Sequence, residues 1–455
     1  MAPHRALATS AEVIAVRPGS PLSGSVTVDG SKNAALPLLA AAAAVRRTVQ
    51  LENVPASADV HWMLTLIQGA GWHVARAVGR PDSVVIMPPD VVPAELDLAP
   101  AARIRASYYL VPALLALQGS ARLPWPGGCR IGERGMDLHF KVYEAFGDRV
   151  AVHDEGYAVE TGRPATGTVS HTLPFRSRGA TVVAVLRAVV AGRALRLGRP
   201  NLSPEVLAVL GALRPAGWEA RAGEQVLDLS PAGWEARAGE QVLDLSPAAA
   251  SPAEAPAWRV PGDKIEAGTL ACAVAATGGT ARIEGVQGRD VVPLQAALQR
   301  LGIPTSVRED VLLVDGSAAR PTGRPLRAIA TLAVGGLDAD FEPPLMALAL
   351  GQPGTHLFAD SINPGRHGNL LPQLARLGAK IEEISPTECR LTGPQRLTGA
   401  GVEATDIRTG SALMVAALTA RGITTLGGVD QLRRGHADLP GKLLHLGADI
   451  CEVAP

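Results

Sequence analysis

Aromatic side chains make up only 3% of this 455-residue chain, so its cores must be built from Ala, Val, Leu and Ile. An excess of one charge is missing as well, since Lys+Arg and Asp+Glu both number 43. That balance excludes the overall basic field that draws nucleic acid or anionic membrane. Any bound anion must be held by a local cluster of cations. The four cysteines, Cys129, Cys272, Cys389 and Cys451, lie far apart and form no CxxC pair. Their spacing speaks against a metal site or a disulfide framework and suits a reducing cytoplasm. The apolar run 34–45 is too short to span a bilayer and ends at Arg46-Arg47, which predicts a buried helix. Residues 1–10 lack the apolar stretch of a signal peptide, so the expected location is cytoplasmic. What remains is globular composition, 47% hydrophobic and 19% charged, in a chain long enough for two or three domains.

One pattern organises the chain: an apolar helical stripe, a glycine able to end it, then strands. It reads Leu66-Ile67-Gln68-Gly69-Ala70-Gly71-Trp72, and returns at Gly147, Gly217, Leu301-Gly302, Leu377-Gly378 and Leu446-Gly447. The six glycines are separated by 76, 70, 85, 76 and 69 residues. The long interval contains a tandem copy, residues 215–230 (PAGWEARAGEQVLDLS) being repeated as 231–246; removing its 16 residues turns 85 into 69. Six units of one supersecondary type follow. The expectation for the duplication is that one copy forms a strand pair while the other bulges out with the linker-like 247–256.

Several units open a helix with a cation. Gly30-Ser31-Lys32-Asn33-Ala34-Ala35 precedes the 34–45 run, Arg103-Ile104-Arg105-Ala106-Ser107 precedes 108–117, and Asp406-Ile407-Arg408 opens the last unit. Each suits an anion at a helix N-terminus, although a solvated cation there is a common bland use. Pro126-Gly127-Gly128-Cys129-Arg130-Ile131-Gly132-Glu133-Arg134 sets a cysteine between arginines in a glycine-rich loop, which favours a reactive thiolate. Asp338-Ala339-Asp340-Phe341-Glu342 offers alternate carboxylates before an apolar helix at 344–350, one of them a candidate base, the others first-turn acids. If these helix starts face a shared centre, the ligand is strongly anionic, such as a phosphate bearing a carboxylate.

Taken together, these motifs resemble the enolpyruvyl transferase superfamily. They include Ser31-Lys32-Asn33-Ala34-Ala35-Leu36-Pro37, Arg105-Ala106-Ser107, the Gly127-Gly128-Cys129 loop, Asp137-Leu138-His139, Arg178-Gly179-Ala180-Thr181, Asp406-Ile407-Arg408 and Arg434-Gly435. UDP-N-acetylglucosamine enolpyruvyl transferase is the nearer relative and 5-enolpyruvylshikimate-3-phosphate synthase the more distant. The similarity runs from about Leu22 to the last unit. It implies an α/β fold, a two-domain inside-out α/β barrel of six βαβαββ-type repeats. Residues 1–30 would join the second domain, 31–261 would form the first, with the 215–246 duplication, and 262–455 the second. The chain would cross near Gly30 and near Pro261-Gly262-Asp263. The resemblance also implies roles. Lys32, Arg105, Arg134, Arg408 and Arg366 (or His367, if the motif slips by one) would hold phosphoenolpyruvate. Cys129 would protonate the substrate or release product and be alkylated by fosfomycin; Asp340 would be the base, and Asn33 would position the acceptor. Asp137 and Leu138 would hold a uracil ring, and Arg176, Ser177, Arg178 and Gly179 would meet the nucleotide phosphate. No metal or cofactor is implied; phosphoenolpyruvate is a co-substrate.

The chain departs from the peptidoglycan enzymes on the acceptor side. Phe175-Arg176-Ser177-Arg178-Gly179 stands where they carry a Lys and two valine-like residues, Ala339 where they carry Thr, and Asn363-Pro364-Gly365-Arg366 where they carry Phe-Glu-Asn-Arg. Added arginines suit a terminal phosphate better than a sugar-capped diphosphate. The expected reaction is therefore enolpyruvyl transfer to a uridine nucleotide, the 3′-hydroxyl of UMP ahead of UDP-N-acetylglucosamine, as in nikkomycin- and polyoxin-type antibiotic synthesis. A non-catalytic nucleotide-binding paralogue and a shikimate-3-phosphate acceptor are the competing readings.

Overall fold

The computed structural model describes residues 13–77, 79–92, 96–127, 135–163, 165–223, 242–247, 257–331 and 336–453. Its helices divide by composition. Lys32–Ala44 (KNAALPLLAAAAA) buries every residue but Asn33, and Lys264–Ala276 every residue but Ala276. A helix apolar on all sides has no face for water and must lie at the centre of its lobe. Gly288–Leu301 is the contrasting type, burying Val291, Leu294, Ala297, Leu298 and Leu301 at helical spacing and leaving the rest toward solvent.

The strands form six sheets among the described residues, one for each unit counted in the sequence. Five have four strands with one parallel pairing each; the sixth, Ser120–Pro124, Arg149–His153 and Gly156–Glu160, is wholly antiparallel. Apolar side chains form two separate cores. One gathers residues between Ala34 and Val260, the other Ile14–Val28 together with Ile265–Ile450.

The two lobes are stitched where the chain passes between them. Ser23–Thr27 runs parallel to Thr280–Glu284, and Val49–Glu52 runs parallel to Ala257–Arg259. Gly30 and Gly262 bridge each other, with Ser31 N donating to Pro261 O at 2.7 Å and Asp263 N to Asp29 O at 2.8 Å. A Cβ on Gly30 would stand 1.8 Å from Asn53 O, and one on Gly262 1.8 Å from Gly285 O. Both positions need glycine because backbone approaches backbone there. Val13–Arg17 lies between Thr424–Gly427 and Asp449–Val453, so the first strands belong to the second core.

Two local expectations change. Residues 108–117 are not one helix: a 3-10 turn, Arg105–Leu110, precedes the helix Val111–Gln118, whose start carries Pro112. In the duplication, the described strand pair draws on both 16-residue copies. Trp218–Gly223 from the first copy pairs antiparallel with Val242–Pro247, which begins in the second, Gly223 opposite Val242. The sequence is identical in both copies, so either half satisfies the same ladder. Residues 224–241 and 248–256 lie outside the described residues.

Candidate active site

A cleft of about 730 Å³ opens between the two lobes. Its walls include Lys32, Asn33, Arg105, Asp137, Leu138, Arg176, Ser177, Arg178 and Gly179 from the first lobe and Lys264, Asp340, Arg408 and Arg434 from the second. Lys32–Ala44, Arg178–Ala191, Lys264–Ala276 and Ile407–Ala417 are among the helices that begin at this cleft. Ser177, Asp263 and Asp406 cap the last three by accepting from backbone N–H groups. The helix ends therefore aim partial positive charge at one centre, as the cation-led sequence motifs imply.

At one end, Asp340 is gripped from two sides. Arg408 donates through Nε to Oδ1 at 2.6 Å and through Nη2 to Oδ2 at 2.8 Å, and Arg366 Nη2 donates to Oδ1 at 3.1 Å. Burial alone would raise the carboxyl's proton affinity. Arg408, then Arg366, overcome it and hold Asp340 well below the usual carboxylate range. Nearby, Asp59 receives Lys32 at 3.5 Å and Arg434 at 3.0 Å, the latter reaching across from the other lobe.

At the other end four charges meet across the lobes, Glu205 and Lys264 buried and Arg178 and Asp338 partly exposed. Lys264 lies 3.1 Å from Glu205 and 2.8 Å from Asp338, while Arg178 lies 3.6 Å and 3.8 Å from the same two carboxylates. Burial opposes ionisation of Glu205, but Arg178 and Lys264 bring it down to about 2. Lys264 is raised despite its burial, by Asp338 and Glu205. Asp290, also on the wall, is pushed up to about 6 by burial. His139 is brought down to about 4 by burial and then by Arg105, so it is neutral. Phe175 stands 58% exposed on the wall beside Arg176.

The fold thus brings eleven of the sequence-derived residues to one cleft: Lys32, Asn33, Arg105, Asp137, Leu138, Arg176, Ser177, Arg178, Gly179, Asp340 and Arg408. Arg366 is different. It is 2% exposed and sits behind Asp340, its guanidinium taken up by Asp340, by Asp360 at 3.0 Å and by the Ala339 carbonyl. A ligand role expected for it becomes a contact to Asp340. His367 does not replace it on the wall, being buried against Glu342. Arg178 is bound to two carboxylates rather than presented alone. Cys129 and Arg134 lie outside the described residues. Asp59, Glu205, Lys264, Asp290 and His139 were not singled out for a role. Lys264 follows Pro261-Gly262-Asp263 at a helix start, the same signal that marks Lys32 and Arg408.

Comparison with known proteins agrees with this architecture. The family model described as EPSP synthase (3-phosphoshikimate 1-carboxyvinyltransferase) matches residues 16–443. The chain is similar to a UDP-N-acetylglucosamine 1-carboxyvinyltransferase of Carboxydothermus hydrogenoformans, 33% identical over 95% of this chain and 97% of that protein. One from Symbiobacterium thermophilum is 33% identical over 96% of each. Among solved structures, the enolpyruvyl transferase NikO from Streptomyces tendae superimposes with a TM-score of 0.81 at 26% identity, covering 98% of this chain and 100% of that one. EPSP synthase from Acinetobacter baumannii, at 15% identity and a TM-score of 0.71, shares the fold. With a family model spanning nearly the whole chain, relatives and solved structures that are enolpyruvyl or carboxyvinyl transferases, and a cleft lined by cations and the carboxylates they grip, this chain belongs to the EPSP synthase family and is an enolpyruvyl transferase.

Proposed function

We propose that the enzyme transfers the enolpyruvyl unit of phosphoenolpyruvate to a hydroxyl of a uridine nucleotide, the 3′-hydroxyl of UMP being the favoured acceptor. The observation that carries this reading is the Phe175-Arg176-Ser177 turn at the start of the Arg178–Ala191 helix, on the cleft wall. A cation and a capped helix N-terminus suit a terminal phosphate, and the exposed Phe175 ring offers an apolar face to a planar base. Asp137 and Leu138 line the same cleft, as a uracil strip requires.

In this reaction Lys32, Arg105 and Arg408 hold the phosphate and carboxylate of phosphoenolpyruvate. The acceptor oxygen bonds to C2, its proton passing to Asp340, while C3 takes a proton, giving a tetrahedral ketal-phosphate. C3 then loses a proton, the C2–O bond to phosphate breaks and phosphate leaves. In the resemblance, Cys129 serves the protonation at C3. Gripped by Arg408, Asp340 is a weak base. An incoming phosphate competes for Arg408 and so restores basicity where it is needed. The cations stabilise charge as it develops. Addition at C2, loss of phosphate and the accompanying proton transfers need only acids, bases and cations, so no cofactor is assigned.

The second reading, UDP-N-acetylglucosamine as acceptor, is favoured by the names of the 33%-identical relatives. Phosphate release with phosphoenolpyruvate and each nucleotide in turn separates the two. Release with UMP alone supports the proposal, and release with the UDP-sugar alone overturns its acceptor.

A further inference from the structure

We infer that the buried trio Glu342, His367 and Cys389 is a binding site for a single borderline-soft divalent cation such as zinc or cobalt, outside the cleft and with no part in the transfer chemistry. The residues come from three rigid elements: Glu342 opens the helix Glu342–Ala349, His367 opens the helix His367–Arg376, and Cys389 lies on the strand Glu388–Gly393. One ligand atom from each lies within 4.8 Å of the other two. All three are closed off, with exposures of 0%, 1% and 0%. Carboxylate, imidazole and thiolate are the donor types such ions take, and ligands on fixed elements hold a coordination geometry better than loops do.

Two further observations point to a ligand rather than to ordinary core packing. His367 and Glu342 share one hydrogen bond at 2.8 Å, yet His367 Nδ1 and Glu342 Oε2 are buried with no partner among the described residues. Buried polar atoms left unpaired are costly. Charge is the second. A divalent ion with one thiolate, one carboxylate and a neutral imidazole is neutral overall, which an enclosed apolar site tolerates far better than a lone ion pair. On binding, the metal replaces the thiol proton of Cys389, which leaves to solvent. Spacing does not mark this trio, because the three residues are 25 and 22 positions apart. Glu342 follows Asp340 by two residues and His367 follows Arg366. An ion here would therefore fix the turn carrying the gripped carboxylate against the turn carrying its arginine.

The test expresses the full-length chain as a Cys129→Ser/Cys451→Ser double variant in cobalt-supplemented medium, which removes two thiols that could bind cobalt elsewhere. Cobalt content after desalting, thiolate-to-cobalt charge-transfer absorbance and the thermal midpoint are then read. The expected result is about one cobalt per chain with the charge-transfer band and a raised midpoint. Adding Cys389→Ser removes the band, and adding Cys272→Ser leaves it. Cys389→Val, which keeps an apolar core, folds but retains no charge-transfer band. A folded double variant that retains no cobalt overturns the inference, as does a band that survives loss of Cys389. In either case Glu342 and His367 are a plain hydrogen-bonded pair beside a core thiol.

Discussion

Arg408 and Asp340 face each other across two hydrogen bonds of 2.6 and 2.8 Å, a bidentate grip between residues 68 positions apart. The grip sets the resting state of the proposed base. Asp340→Asn removes proton acceptance while keeping the shape. Turnover should fall about 10²–10⁴-fold, with phosphoenolpyruvate binding retained by calorimetry. Unchanged turnover would remove Asp340 from the mechanism.

The same pair fixes a pH dependence. Asp340 has an ordinary value of 3.8 and is held well below it. A carboxyl with a depressed folded value contributes stability that is fully present above 3.8 and is lost as pH falls through the folded value. Arg408→Lys replaces a fork with a point charge. It should raise KM for phosphoenolpyruvate about tenfold or more, since charge-assisted hydrogen bonds are worth roughly 1.5–3 kcal/mol, and move the acid limb of activity upward. A pH–rate profile that stays in place would contradict this account of the grip.

The quartet of Arg178, Glu205, Lys264 and Asp338 joins the lobes through opposed charges, with Glu205 and Lys264 buried. Lys264→Met leaves Glu205 and Asp338 with one cation between them. Urea melts should show a loss of about 3–5 kcal/mol, as expected for half of a buried pair removed. The loss should shrink as pH falls from 4.5, the ordinary value for Glu205, toward about 2.

Phe175 is an exposed aromatic on a cleft wall in a chain with few aromatics. Stacking on a base is worth roughly 1–3 kcal/mol. Phe175→Ala should raise KM for UMP about tenfold and leave KM for phosphoenolpyruvate within twofold, read from steady-state phosphate release. Equal changes in both constants would mean the ring shapes the whole cleft instead.

Much of this was legible in the sequence because it is local or periodic. The six glycines mark the six sheets, and Lys32 and Arg408 announce themselves as cations at helix starts. Illegible were the partners, since a pairing such as Arg434 with Asp59, 375 positions apart, leaves no trace in spacing. Arg366 shows the cost: by type it reads as a ligand cation, and only the fold reveals that two carboxylates and a carbonyl already occupy it. The duplication shows the reverse case, in which identical copies left open which half would be used. Because Gly223 pairs with Val242, deleting residues 224–239 would leave a two-residue connection, Glu-Gln, between the same paired strands. The thermal midpoint and activity should hold after that deletion. Loss of folding would show that the added residues have become structural.

The most direct test of the central claim is mass spectrometry of the products formed from phosphoenolpyruvate with UMP and with UDP-N-acetylglucosamine, with the site of attachment assigned by NMR. The account expects an enolpyruvyl ether on the 3′-oxygen of UMP. An adduct on the UDP-sugar alone would contradict the acceptor assignment, and no adduct on either, with phosphoenolpyruvate still bound, would contradict the proposal of transfer to a uridine nucleotide.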